Sequence, residues 1–142
     1  DMKNVYVRLM QGIDDIASSS FRSGLSRFPA RETHVKVPDD MEGAVLLYET
    51  QWRHMHGLVS ASLLYAEILR IEPYEEYSGL FAYLILAGEL LRNGILPPCF
   101  EPDSIDEEKA AFSLAIKQGN YSLFTSYVER AVHSSYKEIE NV

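Results

Sequence analysis

Two apolar segments in tandem constrain the fold of this chain more than any other part of its sequence. Residues 58–71 are apolar on almost every side, and residues 80–88 contain no polar side chain except the hydroxyl of Tyr83. A helix that is apolar on every face lies inside a domain, because neither side can face water cheaply. We therefore predict two central buried helices, joined by the acidic segment 72–79, with other helices packed around both.

The composition narrows the class of protein. The 142 residues fit one domain, and the net charge of −8 argues against nonspecific binding of nucleic acid, which needs clustered Lys and Arg. The apolar run 80–88 is much shorter than the ~20 residues that cross a bilayer. Residues 1–20 also lack the continuous apolar core of a signal peptide. We expect a soluble protein that binds neither nucleic acid nor membrane.

Cys99 is the only cysteine of the chain. A single cysteine excludes an intramolecular disulfide and a four-thiolate zinc site. This cysteine usage suits a reducing compartment, so we expect the protein to act in the cytoplasm or to be delivered into a reducing cytosol.

Hydrophobic spacing predicts four more helices around the central pair. They cover residues 4–19, about 39–54, 104–118 and 121–137, and the central pair covers about 58–71 and 79–93. An aspartate of Asp39-Asp40 is expected to cap the second helix of the chain. Ser104 and Glu107 have the spacing of a capping box, and Gly119 is expected to end the helix that they begin.

One segment has a different period. Residues 33–37 alternate polar and apolar side chains in the manner of a strand, and Pro29 and Pro38 stand on either side. We predict a small exposed β-hairpin over residues 26–37, which we term the flap.

Four short patterns follow one another along the chain. They are His34-Val35-x-x-Pro38 at the end of the flap, Ile71-x-Pro73-aromatic after the first central helix, Gly94-Ile95-Leu96-Pro97-Pro98 after the second, and Gly119-Asn120 between the last two helices. This order resembles the Fic domain family over roughly residues 21–133. The resemblance implies an all-α bundle of about six helices around two central buried ones, with a short β-hairpin flap. It divides the chain into an N-terminal helix (1–20), a Fic-like domain (21–137) and a tail (138–142).

The resemblance also implies a chemistry. Members of that family transfer AMP, or another phosphate-containing group, from a nucleotide to a protein hydroxyl, and their signature is H-P-F-x-[D/E]-G-N-G-[R/K]-x-x-R. Pro73, Tyr74, Glu76 and Gly79 match it or replace it conservatively. Five positions depart from it: Glu72 replaces the His, Tyr77 the first Gly, Ser78 the Asn, Leu80 the first Arg and Tyr83 the second Arg.

These departures remove the parts that the reaction needs. Histidine suits a general base near neutral pH, and the two arginines would clamp phosphate through bidentate hydrogen bonds. We therefore predict a Fic-like domain, related to protein adenylyltransferases, that is catalytically impaired and kept as a protein-binding or regulatory module, with no cofactor.

Two alternatives stay open. In the first, an active nucleotidyl- or phosphotransferase with altered chemistry uses Glu72 as its base, Glu76 as a ligand of Mg²⁺, and Ser78 and Gly79 to bind the nucleotide, with Mg²⁺ and ATP as cofactors. In the second, a flanking segment or a partner supplies the missing groups. If neither holds, Glu72 is a carboxylate that favours the dipole of the next helix, and Glu76 belongs to a solvated acidic loop.

The flap is the expected docking site of a protein partner. In the resembling family the flap strand pairs with an extended segment of the target, which implies docking at Thr33, His34, Val35 and Lys36. A partner bound here would lie beside the acidic loop and is expected to carry basic residues. The competing interpretation is an edge strand that pairs only within its own hairpin.

Overall fold

A computed structural model of the chain describes Phe21, residues 36–74 and residues 77–142. This part of the chain is all-helical, as predicted, and it contains no strand. Its five α-helices are α1 (Val37–Thr50), α2 (Gly57–Ile71), α3 (Ser78–Arg92), α4 (Ile105–Gln118) and α5 (Ser122–Glu140). Short 3-10 turns, Trp52–His54 and Pro102–Ser104, precede α2 and α4. The predicted helix over 4–19 and the flap up to Val35 lie outside the described residues.

The packing has one central helix. In the described part of the chain, α2 contacts α1, α3, α4 and α5, whereas the backbone of α3 packs closely on α2 alone. Ala61, Ala66 and Ile68 of α2 are fully buried, and so are Phe81 and Leu90 of α3. The two helices share one core, to which α4 and α5 add Ala115, Phe124 and Val128. The prediction of two central buried helices therefore holds for α2, which is the hub, whereas α3 buries one face and exposes Leu80 and Leu91.

The start of α1 differs from the prediction. Its N-cap is Lys36, and neither Asp39 nor Asp40 occupies that position. The carboxylate of Asp40 instead accepts a hydrogen bond of 2.9 Å from the backbone N–H of Lys36. Val37 is a buried residue in the first turn of the helix, so the predicted flap loses its last residue to α1. At its other end α1 stops at Thr50, and the predicted extension to His54 is the 3-10 turn.

Two glycines have identifiable structural roles. Gly57 begins α2 where the end of α3 passes close by, and a Cβ built at Gly57 would lie 2.6 Å from Cγ of Asn93. Gly119 ends α4 with a φ of 66°, as predicted, because this left-handed backbone strongly favours glycine.

The capping box predicted for α4 is wrong. Ser104 is the N-cap, but its hydroxyl makes no cap hydrogen bond. The hydroxyl donates to the carbonyl of Glu101 at 2.6 Å and lies 3.1 Å from the hydroxyl of Tyr127. The last helix also runs three residues farther than predicted, to Glu140.

Among the described helices, none is both long enough and apolar enough to cross a membrane.

Candidate functional site

The junction between α2 and α3 carries the residues that align with the family signature. At the end of α2, Glu72 adopts a left-handed backbone with φ 49° and donates its N–H to the carbonyl of Ile68 at 2.9 Å. Pro73 and Tyr74 then turn into the core, where Tyr74 is 2% exposed. The loop enters α3 through Tyr77, which also has a left-handed backbone, with φ 57°.

Glu72 lies at the position of the signature histidine. It is only 5% exposed, and its place is the C-terminal end of α2. The C-terminal end of a helix carries partial negative charge, so the helix disfavours a carboxylate there. The predicted role in favouring the dipole of the next helix therefore does not match its position, because Glu72 ends α2 and precedes the start of α3 by six residues.

Ser78 replaces the signature asparagine and is the first residue of α3. Its hydroxyl donates to the carbonyl of Tyr74 and accepts from the N–H of Tyr74, each at 2.9 Å. The side chain is buried, and its hydrogen is used inside the loop. Ser78 therefore joins the start of α3 to the backbone of Tyr74, at the other end of the loop.

Gly79 matches the second signature glycine and is exposed. Nothing lies within 4 Å of a Cβ built on it. The fold itself does not require glycine at this position, so its lack of a side chain leaves open space at the N-terminus of α3.

The two positions of the signature arginines carry no charge. Leu80 is 45% exposed. Tyr83 lies on another side, where its hydroxyl donates to the carbonyl of Pro98 at 3.0 Å and its ring meets that of Phe100 with centroids 6.2 Å apart. The hydroxyl of Tyr83 therefore binds the segment after α3 and is not available as a donor in the α2–α3 loop.

The basic side chain of α3 lies at the opposite end of the helix. Arg92 is the single Lys or Arg in α3 and stands in its last turn. It pairs with Glu89 at 2.6 Å and also contacts the hydroxyl of Tyr48 on α1. At 1.5 Å per residue, about 20 Å of helix separates it from Ser78.

Several predicted site residues are not covered by this geometry. Glu76 and the flap residues Thr33, His34 and Val35 lie outside the described residues, and Lys36 is the exposed N-cap of α1. Within residues 36–74 and 77–142, His, Cys, Asp and Glu form no group of three that could hold a metal ion.

A cluster that the sequence did not reveal joins α2, α4 and α5. The hydroxyls of Tyr65 and Tyr127 donate to the two carboxylate oxygens of Glu108, at 3.4 Å and 3.5 Å. Burial raises the pKa of Tyr65, as does the Glu108 carboxylate, and burial also raises the pKa of Tyr127. Both phenols stay protonated and act as donors. No sequence signal marks the group, because Glu108 lies 43 residues from Tyr65 and 19 residues from Tyr127.

Comparison with known proteins supports the fold. No family model and no curated protein matches the sequence. Among solved structures, a fragment of Fic-1 from C. elegans superposes with a TM-score of 0.81 and 16% sequence identity, over 97% of this chain and 41% of that one. A point variant of that fragment gives a TM-score of 0.79 at 16% identity, over 99% and 42%. The chain thus has the fold of these structures and spans about two fifths of their length.

Proposed function

We propose that this chain is a Fic-like domain that has lost nucleotide transfer and acts as a protein-binding or regulatory module. The likeness of its fold to Fic-1 structures supports the assignment of the domain. One observation supports the loss. The first turn of α3, where a phosphate would meet the N-terminus of the helix, carries no cationic side chain.

The electrostatics of that turn argue against a bound polyphosphate. A helix N-terminus offers N–H groups and a partial positive charge. A nucleotide carries several negative charges, and enzymes that transfer phosphoryl groups stabilise them with Arg, Lys or Mg²⁺. Here Leu80 presents an alkyl group at the turn, and Glu72 adds a buried carboxylate two residues before the loop enters the core at Tyr74.

The second candidate is a transferase with altered chemistry. The position of Glu72 favours it, because this carboxylate aligns with the signature histidine and caps the end of α2. In this proposal Glu72 accepts the proton of the target hydroxyl, while Glu76 holds Mg²⁺ and Ser78 and Gly79 contact the nucleotide. Ser78 weakens it, since its hydroxyl is already engaged twice with Tyr74.

Nucleotide titration separates the two proposals. We expect no change in the melting temperature when ATP, GTP, a UDP-sugar or CDP-choline is added with Mg²⁺ at millimolar concentration. A ligand present at 100 times its Kd would raise the free energy of unfolding by about 2.7 kcal/mol, which is easily seen as a thermal shift. A Fic protein with an intact signature serves as the positive control. A saturable shift with any one nucleotide would favour the transferase.

The binding role is proposed for the flap. Exposed strand backbone can pair with a partner even after catalytic residues are lost, since main-chain hydrogen bonds supply the affinity. The docking segment is Thr33, His34 and Val35, because the N–H of Lys36 already donates to Asp40 and Val37 belongs to α1. The partner is expected to carry basic residues, in keeping with the net charge of −8.

A proline in the flap tests this docking site. Val35→Pro removes one backbone donor and should weaken capture of a partner strongly, while the melting temperature of the helical domain stays within a degree or two of the parent. Val35→Thr keeps the donor and the strand propensity and is the matched control. Equal binding by the parent and the Val35→Pro variant would place the partner elsewhere.

A further inference from the structure

A cavity of about 440 Å³ lies between residues 99–104 and one face of α5, and none of its lining residues belongs to the α2–α3 loop. Cys99 fixes one wall, because its N–H donates to the carbonyl of Ala131 at 3.0 Å. The volume is within the range of sites that take small molecules.

The inner wall of the cavity is apolar and aromatic. The rings of Phe100 and Tyr127 stack with centroids 5.2 Å apart and an interplanar angle of 10°. Ala131 of α5 lines the cavity beside them. Tyr127 is only 3% exposed, so the apolar surface that a flat group would cover here belongs mainly to Phe100.

The rim that α5 contributes is basic. Arg130, His133 and Lys137 stand at steps of three and four residues, which places them along one face of the helix, and all three line the cavity. Arg130 pairs with Glu107. Within the described part of the chain, Lys137 makes no ion pair and the imidazole of His133 makes no hydrogen bond. Two nitrogen-bearing side chains therefore remain available to an anion.

Of the residues that the structure describes, two glutamates line the cavity, and one of them is paired with an arginine. Glu107 is neutralised by Arg130, which leaves Glu101 as the lining carboxylate without an ion-pair partner among the described residues. Cys99 adds no charge, because desolvation and the nearby Glu138 carboxylate raise the pKa of its thiol. The lining charges of Glu101, Glu107, Arg130 and Lys137 therefore balance, in a chain whose net charge is −8.

We propose that this cavity binds a small organic anion with a flat apolar body and one oxyanion group. The body lies against Phe100, and the oxyanion lies between Lys137 and His133. This site is independent of the proposed loss of nucleotide transfer, since it shares no residue with the α2–α3 loop.

Three probes separate the two halves of the ligand. Phenyl phosphate carries both the ring and the anion, inorganic phosphate carries the anion alone, and phenol carries the ring alone. In ¹H–¹⁵N spectra of the whole chain, phenyl phosphate should shift the amides of residues 99–104 and 130–137 saturably, with the weak affinity of so small a ligand. The other two should bind at least about fivefold more weakly, because each lacks one set of contacts. Equal shifts with inorganic phosphate would overturn the aromatic half of the proposal.

Charge variants test the rim with opposite signs. Lys137→Gln should weaken phenyl phosphate binding about fivefold, and Glu101→Gln should tighten it about twofold. Lys117→Gln removes the same charge from an exposed site at the end of α4, outside the cavity, and should leave binding unchanged. Equal weakening by Lys137→Gln and Lys117→Gln, or no saturable shift at the cavity, would refute the site. The spectra of the variants away from the cavity report whether the fold is intact.

Discussion

At the scale of residues, Tyr77 in the loop before α3 has a left-handed backbone, which is a conformation typical of glycine. Tyr77 stands where the family signature has Gly, and its φ of 57° lies in the region that favours Gly. A side chain in this conformation costs roughly 1–2 kcal/mol, because Cβ approaches the following carbonyl. The position therefore holds a backbone conformation that favours glycine while it carries a bulky, half-exposed ring.

Paired substitutions isolate this backbone effect. Tyr77→Gly and Tyr77→Ala both remove the ring, so their difference reports the left-handed conformation alone. We expect the glycine variant to be the more stable of the two by about 1 kcal/mol in urea unfolding, the reverse of the usual order in an extended or helical backbone. Gly119→Ala, at φ 66°, should cost a similar amount and calibrates the measurement. An alanine variant as stable as the glycine variant would show that residue 77 does not hold this conformation.

At the scale of elements, α2 and α3 are fixed to each other where α2 begins and α3 ends. The backbone of Gly57 meets the side chain of Asn93, whose amide donates to the carbonyl of Glu89 at 2.8 Å. Glu89 of α3 also accepts a hydrogen bond of 2.6 Å at its carboxylate from the hydroxyl of Tyr48 on α1. Burial raises the pKa of Tyr48 to about 12. These contacts hold the ends of three helices together.

Alanine at Gly57 tests the close approach. Gly57→Ala should destabilise the protein by about 1–3 kcal/mol, because the new Cβ would overlap the Asn93 side chain. Gly88→Ala in α3 is the control, since nothing lies within 4 Å of its Cβ, and it should stabilise by about 0.5–1 kcal/mol through helix propensity. Asn93→Gly combined with Gly57→Ala should recover part of the loss. If both single alanine variants were stabilising, the helices would not pack as described.

The sequence predicted the helices of this fold better than their arrangement. The positions of α2, α3 and α4 follow from hydrophobic spacing and from glycine and proline at their ends, because these are local signals. The role of α2 as the hub depends on long-range packing that no window of sequence contains. The cap of α1 was misplaced because the helix begins two residues earlier than expected, at Val37, so that Asp40 accepts the Lys36 amide from inside the first turn.

The candidate site also has features that the sequence predicts and features that only the structure shows. The absence of an arginine at Leu80 and Tyr83 can be read directly from the sequence. What the replacements do instead cannot be read from it. The hydrogen bond from Tyr83 to Pro98 depends on the path of the chain after α3, and the two hydrogen bonds between Ser78 and Tyr74 depend on the conformation of the loop. The spacing of His133 and Lys137 on one helix face can be read from the sequence, but the opposite side of the cavity comes from residues 99–104, about 30 to 40 positions earlier.

At the scale of the whole molecule, the fold matches Fic-1 structures although the aligned signature residues differ. The fold superposes on Fic-1 structures at a TM-score of 0.81, while both arginine positions of the signature are uncharged in this chain. A packed core resists change, since altering its shape costs stability, whereas surface charges at a ligand site are held only by function. Loss of nucleotide transfer with retention of the fold is therefore the expected outcome if selection acts on binding.

Incorporation of labelled AMP by a series of variants tests this account most directly. Glu72→His alone restores the base but leaves the phosphate without its clamps, and one such donor is commonly worth about 3 kcal/mol. We predict no detectable transfer to the protein itself or to a target by this single variant. A variant that adds Leu80→Arg and Tyr83→Arg, together with Tyr77→Gly and Ser78→Asn, should gain measurable transfer. Labelled AMP on the Glu72→His variant alone would contradict the account, since it would show that the missing base was the whole defect.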